Sequence, residues 1–316
     1  MSKVLVTGAN GFVGRHLCRI LADRGYEVIG TIRSASHEET PVNYELRSVG
    51  DIEDLKKNDP VLKGIDHVVH LAARVHVLKE QQRDPLDEFR RVNVTGTERL
   101  FGNDYIQDVK RFVYVSTVKV HGEMTHESPF SVNMEPVPAD AYAQSKLEAE
   151  QVVEATGEEK GIETVIIRPP LVYGPGVGAN FASLLRLIDK GYALPLGDIS
   201  NKRSLVGIRN LCDLIGHCLT SYKSAGGRFL VSDDFDVSTP ELFAQLAVAM
   251  SRPVRLFPFP VALLKAAAAL LGRSAEVSKL VGSLQVDVGE TMHTLAWTPP
   301  VSFAEEIQAT VDSYPG

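Results

Sequence analysis

Residues 4–14 constrain the fold of this chain more than any other segment. An apolar run over residues 4–7 leads into glycines at positions 8, 11 and 14, and an amphipathic helical pattern follows. In a dinucleotide-binding βαβ unit the first glycine permits a tight turn, the second lets the backbone approach a pyrophosphate, and the third lets the helix pack closely on the sheet. A purely structural turn is the alternative. We expect the turn and helix start to bind a dinucleotide through Gly8, Asn10, Gly11, Phe12, Val13 and Gly14.

Short β-branched runs alternate with longer helical patterns through the first half of the sequence. This alternation is typical of βαβ units, and continuous apolar runs such as residues 68–72 suit strands that are buried on both faces. We therefore expect an α/β fold, a doubly wound parallel sheet of Rossmann type, with a smaller mixed C-terminal substrate region. The expected strands are 3–7, 27–32, 44–48, 67–71, 111–116 and 164–168, and the expected helices are 12–24, 84–101 and 141–156.

The pattern changes after about residue 175, where glycine and proline interrupt the sequence and helices lose their regular partnership with strands. We expect a dinucleotide-binding domain over residues 1–175 and a substrate-binding region over residues 176–316. Residues 210–222 and 228–232 still read as a helix and a strand of the main sheet. The two parts are therefore expected to interleave, with residues 205–235 returning to the first domain.

The end of the second expected strand discriminates between the two nicotinamide dinucleotides. A carboxylate there hydrogen-bonds the ribose 2′-hydroxyl of NAD, whereas an arginine accommodates the 2′-phosphate of NADP. The sequence has Arg33 and Ser34 at this point, with Ser36 close behind. NADP is therefore favoured, and NAD stays open because Arg33 is alternatively a solvated cation. The adenine and the cofactor backbone are expected to contact a second group of residues: Asp51, Ile52, Leu71, Ala72 and Ala73.

A strand-end pair, Ser116 and Thr117, precedes Tyr142 and Lys146 at the start of a helix. Tyrosine and lysine four residues apart lie on one helix face. A neighbouring ammonium and a cationic nicotinamide favour the phenolate, so that Tyr142 can exchange a proton with a carbinol. We expect Thr117, Tyr142 and Lys146 to be catalytic, with Lys146 also holding the nicotinamide ribose, and Ser116 and Thr117 to contact the substrate.

Taken together, these motifs resemble the extended short-chain dehydrogenase/reductase family, in its NAD-dependent epimerase/dehydratase branch that acts on nucleotide sugars. The resemblance extends over most of the chain and includes residues 7–14, 50–52, 70–73, 93–97, 115–117, 142–146 and 168–176. It implies that Asn93 supports the active-site strand and that Pro169 lies beside the nicotinamide. It also implies that Asn180 and Arg203 bind the diphosphate side of a UDP-sugar, and that helices 84–101 and 141–156 form a homodimer contact.

Departures from the family pattern narrow the expected reaction. Dehydratases of the family place an Asp-Glu pair after the catalytic threonine, whereas this chain has Val118 and Lys119, so dehydration is not expected. The resemblance leaves a 4-keto reductase, forming a UDP-linked 6-deoxy-N-acetylhexosamine from its 4-keto precursor, or a UDP-glucose or UDP-N-acetylglucosamine 4-epimerase with tightly bound NAD. Arg33 favours the reductase. A non-catalytic NADP-binding redox sensor is a distant alternative, since such proteins typically lose the catalytic tyrosine.

Composition excludes several other classes of protein. The 316 residues carry a net charge of −7 without a basic stripe, so no nucleic-acid partner is expected. Cys18, Cys212 and Cys218 have no metal-type spacing, so no metal site is expected, and they read as reduced thiols of a cytoplasmic protein. The apolar run at residues 259–271 is too short to span a bilayer. We expect it to form a buried core helix rather than a membrane-surface helix, because it lacks a basic polar face.

Overall fold

The computed structural model describes residues 1–34, 43–75 and 84–315, without the side chains of residues 179 and 180. The strands are β1 (Lys3–Thr7), β2 (Glu27–Ile32), β3 (Glu45–Ser48), β4 (His67–His70), β5 (Arg111–Val115), β6 (Glu163–Arg168), β7 (Leu171–Tyr173), β8 (Ala193–Leu194), β9 (Arg203–Gly207), β10 (Arg228–Leu230), β11 (Asp236–Val237) and β12 (Arg255–Leu256). The helices are α1 (Phe12–Asp23), α2 (Pro85–Arg90), α3 (Gly96–Phe101), α4 (Ala141–Lys160), α5 (Ala179–Asp189), α6 (Ile208–Thr220), α7 (Thr239–Ala249), α8 (Val261–Leu270), α9 (Ser274–Val281), α10 (Gly289–Leu295) and α11 (Phe303–Asp312).

Seven parallel strands form the main sheet in the order β3-β2-β1-β4-β5-β6-β10. The chain order reverses between β1 and β4, where Thr7 is paired with His70. In sheets of this kind, ligands bind outside the carboxyl ends of the strands at such a reversal. The predicted doubly wound parallel sheet is confirmed, and its six predicted strands end within one residue of their expected bounds.

Apolar layers cover both faces of this sheet. On one face α1 and α6 pack together and bury Leu17, Leu21 and Leu211 against the strands. On the other face α3 contributes Leu100 and Phe101 to a second layer, and α4 contributes Ala149 and Val153, packed with Phe112 of β5. These two layers fix the strand ends relative to the helices that begin there.

The chain beyond β6 contributes to both the main sheet and smaller sheets. The strand β10 lies at one edge of the main sheet beside β6. Parallel β7 and β9, with antiparallel β11, form a three-stranded sheet, and β8 pairs with β12. A further apolar cluster lies among α5, α7 and α11 and includes Phe181, Phe243 and Phe303.

The predicted helix over residues 84–101 contains a wide turn at Arg91–Thr95 between α2 and α3. Turns of this kind, with i to i+5 hydrogen bonds, occur mostly as single insertions in helices and often at functional sites. Asp84 begins α2 by accepting a hydrogen bond from the Leu86 N–H at 2.9 Å. The wide turn contains Asn93, one of the predicted cofactor-site residues.

The prediction that residues 259–271 form a buried core helix is wrong. They form α8 and the turn after it, and Ala268 is the buried residue of this helix. Leu263, Leu270 and Leu271 expose 56%, 89% and 76% of their surface. An apolar run does not by itself show how many of its sides have a packing neighbour, and here one side of α8 meets the protein.

Candidate active site

The turn after β1 is shaped by two glycines. Gly8 has φ +69°, in the left-handed region that favours glycine, and a Cβ there would lie 3.1 Å from the Ala72 backbone. A Cβ on Gly14 would lie 2.2 Å from the Gly8 carbonyl oxygen, so only glycine lets α1 pack this closely on the turn. No side chain in the described part of the chain caps α1 at Gly11. The free N–H groups at this helix start suit a phosphate.

A buried hydrogen-bond network that the sequence did not predict fixes the end of β4. Thr7 Oγ1 accepts hydrogen bonds from the N–H groups of Leu71 at 3.1 Å and Ala72 at 3.0 Å, and it lies 2.7 Å from His70 Nδ1. His70 Nε2 lies 3.1 Å from Thr97 Oγ1. Burial lowers the pKa of His70 to about 3, so the ring is neutral at physiological pH. The network places the backbone of the predicted cofactor segment 71–73 against the glycine turn.

The tautomer of His70 follows from its partners. Thr97 Oγ1 donates its proton to the Asn93 carbonyl oxygen at 2.7 Å, so it accepts from His70 Nε2. His70 Nδ1 then accepts the Thr7 hydroxyl proton, which leaves the Thr7 oxygen free to accept the two backbone N–H groups. The sequence shows that Thr7 and His70 each end a strand, and only the structure shows that these two strands are neighbours.

Asn93 connects the cofactor segment to the helix that carries the tyrosine. Its Oδ1 accepts from the Arg74 N–H at 2.8 Å, and its Nδ2 donates to Ser145 Oγ at 2.9 Å. Ser145 Oγ donates in turn to the Tyr142 carbonyl oxygen at 2.8 Å. Asn93 is 1% exposed, so these bonds are protected from water. The predicted supporting role of Asn93 therefore has a geometric basis.

The predicted ribose and adenine contacts lie together beyond the end of β2. Arg33 Nε forms an ion pair with Asp51 Oδ1 at 2.8 Å, and 73% of the Arg33 side chain is exposed. Ile52 is buried, and a Cβ on Gly96 would lie 2.7 Å from its Cγ2, so Gly96 lets α3 approach it. Ser36 lies outside the described residues. The Nε of Arg33 pairs with Asp51, and the exposed remainder of the guanidinium group can donate to an anion.

Lys146 is buried beneath the carboxyl end of β5. Its Nζ donates to the Val115 carbonyl oxygen at 2.8 Å and lies 4.0 Å from the centre of the Tyr114 ring. Burial lowers the pKa of Lys146 to about 7, against an opposing effect of Glu150. The side chain is 1% exposed. The amine is thus held rigidly one helical turn after Tyr142.

Tyr142 lies in the first turn of α4 and packs edge-on against Phe89, with ring centres 5.8 Å apart. Burial raises the pKa of Tyr142 to about 12, and the Asp140 carboxylate adds to the shift. The expected lowering of this pKa is therefore not seen in the protein alone. Asp140 caps α4 by accepting from the Ala143 N–H at 2.7 Å, and Lys119 pairs with it at 2.7 Å. The phenol is protonated at neutral pH before any cofactor binds.

Ser116 and Thr117 follow β5 and lie beside the predicted nicotinamide residue Pro169. The Val118 N–H donates to the Pro169 carbonyl oxygen at 2.9 Å, and the Ser116 N–H donates to the Ile167 carbonyl oxygen at 2.7 Å. Thr117 Oγ1 accepts from the Lys119 N–H at 3.3 Å, which leaves its proton to donate. Ser116 Oγ is buried without a hydrogen-bond partner among the described residues. Both hydroxyls are therefore available to a ligand.

Three buried charged or polar side chains link α4, β6 and the segment after Thr117. Arg168 donates to Glu150 from Nε at 3.0 Å and from Nη2 at 2.5 Å, and its Nη1 donates to His121 Nε2 at 2.9 Å. Burial lowers the pKa of His121 to about 4, and the Arg168 charge contributes, so the ring is neutral. The sequence did not predict this contact.

Of the two residues predicted to bind the diphosphate, Arg203 and Asn180, the structure describes the side chain of Arg203. Arg203 Nη1 donates to the carbonyl oxygens of Lys279 at 2.7 Å and Gly282 at 3.1 Å, which tie it to the end of α9. Burial lowers the pKa of Arg203. The side chain of Asn180 lies outside the described atoms. Arg203 retains further donors, because only one of its three guanidinium nitrogens makes these bonds.

The described residues fit a nicotinamide dinucleotide. The glycine turn and the uncapped start of α1 suit the pyrophosphate, because no side chain among the described residues fills that space. The Thr7 network holds the 71–73 backbone beside this turn. Tyr142, Lys146 and the free Ser116 hydroxyl lie at the ends of β5 and α4, on the same carboxyl edge of the sheet.

Comparisons with known proteins identify the family to which the chain belongs. The NAD dependent epimerase/dehydratase family model matches residues 4–232. The chain is 42% identical over 315 residues to a UDP-glucose 4-epimerase of Vibrio cholerae, covering 99% of this chain and 95% of the relative.

Solved structures share the fold over the whole chain. A Bacillus cereus UDP-glucuronic acid 4-epimerase in complex with NAD has a TM-score of 0.78 and 21% identity, covering 99% of this chain and 98% of the other. RMD from Pseudomonas aeruginosa, complexed with NADPH, has a TM-score of 0.74 and 22% identity, covering 99% of each chain. The predicted resemblance is confirmed, and this chain belongs to the NAD-dependent epimerase/dehydratase family of enzymes.

Proposed function

We propose that this enzyme exchanges hydride and a proton at C4 of a UDP-sugar, using a nicotinamide dinucleotide. The observation that carries the proposal is the placement of Tyr142 one helical turn before buried Lys146, whose Nζ is held at the carboxyl end of β5. The UDP-glucose 4-epimerase of Vibrio cholerae, 42% identical along nearly the whole chain, supports the same position on the sugar.

The residues of the chain have distinct roles in this proposal. Tyr142 exchanges a proton with the C4 oxygen, and Thr117 donates a hydrogen bond to that oxygen. Lys146 holds the nicotinamide ribose and places positive charge near the phenol. The bound dinucleotide supplies or accepts the hydride. Asn180 and Arg203 are proposed to bind the diphosphate of the substrate, in a region that we assign to residues 176–316.

We propose the reductive direction, in which a UDP-4-keto-6-deoxy-N-acetylhexosamine is reduced with NADPH. The end of β2 presents Arg33 rather than a carboxylate at residues 31–34, which supports NADPH. Val118 and Lys119 stand where dehydration would need an acid and a base, which supports a reaction without water loss.

A UDP-glucose or UDP-N-acetylglucosamine 4-epimerase with retained NAD is the second candidate, and the 42% identical relative supports it. In that reaction the hydride is removed from C4 and returned to the opposite face of the same sugar. The residues of the site are the same in both reactions. A homodimer through α2, α3 and α4 is proposed for either enzyme, together with a cytoplasmic location.

Two measurements separate the candidates. Mass spectrometry of the purified enzyme after mild denaturation reports any dinucleotide that it retains. We expect no stoichiometric NAD, and we expect NADPH oxidation, followed at its absorbance band, when the UDP-4-keto sugar is added. Stoichiometric release of NAD, with interconversion of UDP-glucose and its C4 epimer without added cofactor, would replace the reductase by the epimerase.

A further inference from the structure

The helices α8 and α9, with the segment before them, present an apolar surface to solvent. On α8, Leu263, Ala266 and Leu270 lie at i, i+3 and i+7 and are exposed. Val261 and Leu264 lie on the other side of α8 and pack against the C-terminal core. Leu270 and Leu271 expose 89% and 76% of their surface at the end of the helix.

The segment that carries this apolar surface is rich in cations, although α8 itself has only Lys265. Residues 251–280 contain five cations, Arg252, Arg255, Lys265, Arg273 and Lys279, against the single anion Glu276, in a chain whose net charge is −7. Arg252 pairs with Asp189 at 3.1 Å. Within the part of the chain that the structure describes, Arg255, Lys265 and Arg273 form no ion pair. Their charge is therefore available to an anionic partner.

We propose that the α8–α9 surface docks the enzyme onto the surface of an anionic lipid bilayer. Exposed leucines that protrude from the end of a short helix can enter the boundary of the hydrocarbon without a complementary groove. Arg273, which follows the exposed Leu271 by two residues, and the other cations of this segment attract acidic headgroups, each contributing roughly 1 kcal/mol near such a surface. The excess of five cations over one anion in residues 251–280 complements the charge of an acidic lipid surface, which is the occupant that we propose.

The docking is peripheral. Among the described residues, no helix has the length and apolarity to cross a bilayer. Phe257 and Phe259 precede α8, with ring centres 6.4 Å apart, and Phe257 is 42% exposed. Phenylalanine rings occur with leucine on the apolar side of helices that lie in the boundary between headgroups and acyl chains.

Vesicle flotation tests the proposal with the intact enzyme. We expect it to float with phosphatidylcholine vesicles that contain phosphatidylglycerol, to stay unbound with phosphatidylcholine alone, and to be released by added salt. The variant Leu263→Gln/Leu270→Gln should lose about tenfold or more in vesicle affinity, because two apolar side chains no longer leave water. Lys265→Glu/Arg273→Glu should lose binding to the anionic vesicles specifically.

Controls keep the outcomes distinct. Tyr222→Gln changes an equally exposed side chain, 80% exposed, after α6 in the main sheet domain and should bind vesicles as the wild type does. Circular dichroism confirms folding of each variant. Absence of binding to anionic vesicles at low salt, or equal loss for Tyr222→Gln, would overturn the proposal. A change of sedimentation coefficient in the leucine variant without any vesicle binding would instead assign the surface to a second copy of the chain.

Discussion

Arg168 and Glu150 form a bidentate ion pair in the interior, with each side chain only 2% exposed. The pair joins the end of β6 to α4, one helical turn after Lys146, and Arg168 extends the contact to His121. The residues on either side of it include Lys146 and the segment after Thr117. The pair therefore fixes the relative position of the two elements that the proposed chemistry requires.

Loss of one partner should leave an uncompensated buried charge. We expect Glu150→Gln to lower the free energy of unfolding by about 3–5 kcal/mol, because Arg168 stays buried without its carboxylate. Urea denaturation measures the change. The matched control is Glu154→Gln on the same helix, whose partner Arg228 is 47% exposed. Glu154→Gln should lower the free energy of unfolding by about 1 kcal/mol or less. If both variants lose the same amount of stability, the structural role given to the buried pair is refuted.

The sequence predicted the elements that carry this pair but not the pair itself. A β-branched run predicted β6 and a helical pattern predicted α4, since both depend on local sequence. The contact between Arg168 and Glu150 depends on how α4 packs across β5 and β6, which no local pattern contains. The same applies to Thr7 and His70, whose network appears only when β1 and β4 are placed side by side.

Two other features of the structure differ from the sequence prediction because they also depend on packing between elements. The backbone on both sides of the wide turn at Asn93 is helical. The helical pattern of the sequence therefore continues through the turn and does not reveal it. The exposed side of α8 could not be predicted because hydrophobicity does not report whether a neighbour is present. The predicted catalytic residues lie at strand and helix ends, where their type and spacing place them, and their catalytic role stays a prediction.

Tyr142→Phe removes the proton-transferring hydroxyl and little else. We expect turnover to fall by at least about a hundredfold, as is usual for loss of a general acid, while NADPH binding measured by fluorescence changes by no more than a few-fold. Phe89 still packs against the ring of the variant. Activity close to that of the wild type would show that another group supplies the proton.

The buried amine of Lys146 should make stability depend on pH. Its folded pKa of about 7 is below the ordinary 10.5, so the unfolded chain binds the extra proton between these values and stability rises with pH across that window. The cost of the buried charge is fully present at lower pH. From about pH 7 to about pH 9, the wild type should gain roughly 2 kcal/mol relative to Lys146→Met.

Urea denaturation of both proteins at the two pH values measures this difference in unfolding free energy. The contributions of the other titrating groups are common to both proteins and cancel when the two are subtracted. Lys146→Met has a side chain of similar length without the charge, so packing against Tyr114 is largely retained. Parallel pH profiles for the two proteins would mean that Lys146 stays charged in the fold and that its pKa is not lowered by burial.

Arg33 decides the proposed preference for NADPH. A charge-assisted contact to the 2′-phosphate contributes about 1.5–3 kcal/mol, or roughly one to two powers of ten in affinity. Arg33→Ala should therefore weaken NADPH by that factor and NADH hardly at all, as measured by fluorescence titration. Because Asp51 pairs with Arg33 at 2.8 Å, Asp51→Asn serves as the control and should leave the phosphate contact in place. Equal weakening of both cofactors, or a wild-type preference for NADH, would make Arg33 an ordinary surface cation and favour the epimerase.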